Sequence, residues 1–172
     1  MNNVKLLSKI LLVISRLLSL LYFLIFMYAV ITLIGRSGAL NISKDGKFFE
    51  ILIPLTRIPF LLGFYNQQYI WLEFLPIFLL YALFFLLLSY IFYVFAQDKL
   101  FTYNGYNYLR IFYVANFTVP LFMLLLTEFL AEASFDSWAL VGMHILLGIF
   151  IYFMAAIFNQ GLKLQNEQDL II

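Results

Sequence analysis

The residues of this chain able to do chemistry are few, and they cluster late. His144 is the one histidine, and there is no cysteine, so a single chain cannot supply a two-histidine metal centre, a thiolate site or a thiol nucleophile. Glu128 and Glu132, one helical turn apart, could join His144 around a cation or a proton. Antiparallel geometry opposes this, because it sets His144 near the depth of Met123, deeper than either glutamate. The other reading is a histidine packed against, or bonded to, a neighbouring helix. Asn116 is the second polar group in an apolar setting, and an amide at membrane depth should face protein rather than lipid. Asn116 and His144 thus form a candidate intramembrane polar groove. No nucleophile, base and orienting group occur together at a recognisable spacing, so an enzyme is not expected, and no cofactor is implied. The scattered glycines form neither a dinucleotide fingerprint nor a phosphate loop.

The elements that must position these groups follow from composition. Of 172 residues, 65% are hydrophobic, 20% aromatic and 11% charged, against about 25% charged in a soluble domain. A net charge of +1 gives no footprint for direct nucleic-acid binding. Four apolar stretches, about 10–34, 69–97, 103–130 and 137–160, can each cross roughly 30 Å of hydrocarbon as a helix. The expected fold is an all-α membrane protein, four transmembrane helices in an up-down bundle, forming one integral membrane domain over residues 1–172. The lipid bilayer is its first partner, and a homo-oligomer is compatible with it.

The first stretch follows Lys5 and Lys9 and carries Arg16, whose long stem can return the guanidinium to the headgroups. A cleavable signal is the rival reading, with Ser37-Gly38-Ala39 as a small-residue site, but residues 17–34 exceed the usual apolar core of about 7–15 residues. The outer loop, 35–68, holds Asp45-Gly46 between two strand-like runs, a signal for a small β-hairpin. Pro54 and Pro59 then disfavour helix, leaving an interfacial or sheet-like segment.

Pro76 falls in an early turn of the second helix, where proline is least disruptive. Residues 96–110 form the inner turn, with Thr102 placed to cap the third helix and Gly105 where a capping box would have Glu or Gln. Pro120 removes the donor that the Asn116 carbonyl would use, so a kink is expected. Asp136 or Ser137 is the expected cap of the fourth helix, and Gly161 its expected stop or bend before a cytoplasmic tail, 161–172. Small residues along the His144, Gly148, Ala155 and Asn159 stripe permit close helix approach.

Lys5, Lys9, Arg16, Lys99, Arg110 and Lys163 fall on one side of this arrangement, and Arg36, Lys44, Lys47 and Arg57 on the other. The last outer turn is wholly acidic, which favours both termini in the cytoplasm.

Two stretches carry a family likeness. Leu100 to Arg110, ending in Leu-Arg, and the tail residues Phe158, Gly161, Leu164, Glu167, Asp169, Leu170 and Ile172 resemble the small bacterial membrane family catalogued as domain of unknown function 2975. Gly105-Tyr106 departs from it, since similar proteins carry a more charged helix start there. The resemblance implies a four-helix protein of the bacterial cytoplasmic membrane with no established activity. It also implies a genetic neighbour, a small helix-turn-helix regulator, for which the membrane protein is a partner or sensor. The docking face would use Lys99, Arg110, Lys163, Glu167 and Asp169. The alternatives are a small transport or lipid-binding protein, using the groove at Asn116 and His144, and an accessory subunit of a membrane complex.

Overall fold

The computed structural model describes residues 2–35 and 38–169. Arg36, Ser37, Leu170 and Ile172, which entered the charge count, the cleavage motif and the tail likeness, lie outside that range. Helix α1 spans Asn2–Gly35. Strands β1 (Leu40–Ile42), β2 (Phe48–Leu52) and β3 (Pro59–Phe64) follow. Helices α2 (Gln67–Phe95), α3 (Tyr103–Leu130) and α4 (Phe135–Asp169) complete the chain. Among the described residues, four helices are long and apolar enough to cross a membrane, which points to a multi-pass membrane protein.

Helix α1 starts eight residues before the apolar run, because the amphipathic start continues the same helix instead of preceding it. Its main partner is α2, across which Ser19 Oγ donates to the Ala82 carbonyl at 2.8 Å. Arg16 is exposed on α1.

The hairpin forms at Asp45-Gly46, where Gly46 takes φ +67°, the left-handed backbone that the turn needs. Asp45 accepts from the Ser43 hydroxyl and the Lys47 amide, which holds its carboxyl below the usual carboxylate range. The loop goes beyond a hairpin, because β3 adds to β2 and completes an antiparallel sheet of order β1-β2-β3. Pro59 is tolerated as the first residue of an edge strand, where no ladder donor is required of it. Phe49 and Ile51 are fully buried on the inner sheet face against Ala29, Ile70, Phe74 and Leu75. The Tyr28 hydroxyl donates to the Leu52 carbonyl at 2.6 Å and pins the sheet to α1.

Helix α2 begins two residues earlier than expected, with Asn66 Oδ1 accepting from the Gln68 amide at 2.9 Å. Its first turns contain a π-helical segment, Ile70–Phe74, just before Pro76. Proline leaves the carbonyl four residues back, that of Leu72, without a helical donor. The Thr127 hydroxyl of α3 reaches that carbonyl at 3.3 Å and also the Met123 carbonyl at 2.9 Å. The defect in α2 is therefore tied to α3.

A second core cluster joins α2, α3 and α4 through Ile91, Val94, Leu109, Phe112, Ile151, Ala155 and Phe158. Thr102 Oγ1 accepts from the Gly105 amide at 3.0 Å, the cap expected of it. At α4 the expectation needs correction. Neither Asp136 nor Ser137 is the cap; Ser134 is, its oxygens accepting from the Ser137 amide. Gly161 also does not stop the helix, which continues to Asp169. A Cβ at Gly161 would stand 2.6 Å from the Phe101 ring, so this glycine serves a close approach of the α2–α3 turn to α4.

Candidate functional site

The predicted polar groove residues meet directly. His144 Nδ1 and Asn116 Oδ1 are 2.7 Å apart, and both side chains are buried. Asn116 Nδ2 donates to the Phe112 carbonyl of its own helix at 2.8 Å. That bond fixes the amide orientation, so Oδ1 must accept and the proton between the two groups belongs to His144 Nδ1. Phe84 of α2 meets the imidazole edge-on, with ring centroids 5.4 Å apart. His144 thus sits at the depth of Asn116, two helical turns deeper than Met123.

The free space beside this pair is about 10 Å³, on the scale of one water. His144 Nδ1 and Asn116 Oδ1 satisfy each other, and this bond joins α3 to α4. Glu128 and Glu132 stay apart from it. Both are exposed, and Glu128 accepts from the Ala133 amide at 3.2 Å in the α3–α4 turn.

A roomier space lies one to two turns along the helices, toward the α3–α4 turn. A cleft of about 360 Å³ opens between α2, α3 and α4, floored by Ile77, Leu80, Met123, Leu124, Leu140 and Val141. At its polar rim, Glu73 Oε2 accepts from the hydroxyls of Ser134 at 2.6 Å and Ser137 at 2.9 Å. The π-helical segment carries Glu73, and the start of α4 supplies both serines. Phe64 and Tyr69 complete the rim on the sheet side, and Asp136 adds a second carboxylate. The sequence reading passed over this site. Its one signal was Glu73 itself, the lone charge in the second apolar stretch, three residues before a proline.

The predicted docking residues sit at the other end of the helices. Lys99, Arg110, Lys163 and Glu167 are exposed; Asp169 closes α4, and its side chain is outside the described residues. Phe101 of the α2–α3 turn packs on Phe158 of α4, with ring centroids 5.3 Å apart. Lys5 Nζ lies 2.6 Å from Asp98 Oδ1, so α1 reaches the same turn. This bond and the lysine charge hold the Asp98 carboxyl below its ordinary range.

No protein-family model, curated protein or solved structure matches this chain.

Proposed function

We propose that this chain is a non-enzymatic protein of the bacterial cytoplasmic membrane that serves as a partner or sensor for a small helix-turn-helix regulator. In this reading the four helices run up and down, and both termini face the cytoplasm. The observation that carries it is the seating of Phe101 against Gly161 and Phe158, which joins the inner turn and the last helix into one surface. Lys99, Arg110, Lys163 and Glu167 are exposed at that end of the helices, and solvated charge there suits a docking face. The fusion of turn and helix also offers a route by which an event among the helices could reach the regulator.

Two experiments test this. Single cysteines at Lys99 and Gln165 should label from the same compartment; opposite-side labelling would overturn the topology. Co-purification of the regulator from native membranes should be lost with Glu167→Lys plus Asp169→Lys. Retained binding would overturn the docking face.

A second reading, small-molecule or lipid binding between the helices, is favoured by the cleft at Glu73, not by the closely packed Asn116–His144 pair. It predicts ligand-dependent thermal stabilisation in nanodiscs.

A further inference from the structure

We infer that the cleft at Glu73 binds a lipophilic cation, an organic ammonium or phosphonium carried on an apolar or aromatic body. This rests on the second reading above and names its ligand class.

The charge balance of the three helices that build the cleft comes first. No lysine or arginine occurs from residue 58 to 98 or from 111 to 162. Glu73 is half-buried, and Asp136 stands on the same rim. A carboxylate drawn partly out of water gains most from an opposite charge brought close, and none of the residues lining the cleft supplies one.

The second point is which oxygen is engaged. Both serine hydroxyls converge on Oε2, so neither of these bonds uses the lone pairs of Oε1. The start of α4 would by itself favour an anion. Here Glu73 and Asp136 already stand at that end, and both serine hydroxyls bind Glu73, so the rim facing the cleft carries carboxylates and no cation.

The third point is shape and surface. The floor is branched aliphatic and methionine, and Phe64, Tyr69 and Phe74 add aromatic rings near the rim. Ring faces attract an organic cation and the floor accepts its hydrocarbon, while a small hydrated metal ion finds too few oxygen ligands. The Leu72 carbonyl is occupied by Thr127, and the π-helical turn holds Glu73 at the rim, so the site is already formed without a ligand.

The test is an isosteric pair of opposite charge, tetraphenylphosphonium and tetraphenylborate, titrated calorimetrically into the full chain in phosphatidylcholine nanodiscs, with empty discs as the blank. The phosphonium should bind saturably and raise the unfolding temperature, and the borate should show no saturable component. Glu73→Gln retains an acceptor for the two serines and should weaken phosphonium binding at least about tenfold. Glu73→Asp should keep it, and Leu140→Trp should abolish it by filling the floor. Equal saturable binding of both ions, or an undiminished Glu73→Gln with a wild-type unfolding temperature, would overturn the cation assignment while leaving a cleft ligand standing. Absence of saturable binding by either ion would overturn the cleft reading as well.

Discussion

His144 Nδ1 donates to Asn116 Oδ1 at 2.7 Å, a bond between groups 28 residues apart that joins α3 to α4 in a buried setting. Removing either partner leaves the other buried without its bond, so Asn116→Leu and His144→Leu should each lower stability by about 1–3 kcal/mol. The double variant should be less destabilised than the sum. A coupling of about 0.5–2 kcal/mol in a double-mutant cycle, read by unfolding in detergent, is expected for an interhelical bond in a membrane protein. Additive losses would show that the two side chains act separately.

Gly161→Ala tests whether this glycine serves helix termination or close packing. A helix stop replaced by alanine would lengthen or firm the helix and leave Phe101 indifferent. A Cβ 2.6 Å from the ring must instead push the inner turn away. We expect Gly161→Ala to cost about 1–3 kcal/mol by overpacking, and Phe101→Leu in the same chain to recover part of it. Increased protease cutting at the inner turn is the accompanying sign.

The Thr127 hydroxyl compensates for the proline in α2. Thr127→Val should cost about 1 kcal/mol by stranding the Leu72 carbonyl. With Pro76→Ala also present, an amide returns to position 76 and the same Thr127 substitution should cost much less. An equal cost in both backgrounds would remove the link between the proline and the cross-helix bond.

The Lys5–Asp98 contact carries a pH signature. Asp98 has its carboxyl lowered from 3.8, first by the hydrogen bond from Lys5 and then by its charge. A carboxyl lowered on folding binds its proton more weakly in the folded chain, so its contribution is present above 3.8 and is lost as pH falls through the lower folded value. The effect of Lys5→Met on unfolding should therefore be small at neutral pH, smaller in high salt because Asp98 is exposed, and absent once Asp98 is protonated. An effect growing with acid would reverse the assignment.

Leu55 sits fully exposed between β2 and β3 with φ +63°, a backbone region that costs a β-carbon-bearing residue about 1–2 kcal/mol. Leu55→Gly removes that cost but adds freedom to the unfolded chain, so a net gain of about 0.5–1 kcal/mol is expected from thermal unfolding.

Much of the helix layout was legible from the chain because hydrocarbon-length apolar runs admit one economical backbone solution, the helix, which satisfies every peptide group within the segment. The Asp45-Gly46 turn and the Thr102 cap were legible for a similar reason: both depend on residues within a few positions of one another. The continuation of α4 through Gly161 was not, since Phe101, far off in sequence, decides it; the third strand needed the β2 edge to pair with, and Ser134 became the cap because the helix begins at Phe135. Asn116 and His144 were conspicuous as polar residues in oil-like surroundings, yet their register depended on how α3 and α4 pack. Glu73 looked like an end-of-helix charge until the fold set it against two serines more than sixty residues away and left the cleft without a cation. Local composition dictated which segments became helices; the meeting of side chains across them, a matter of packing and charge balance in three dimensions, decided where a ligand could bind.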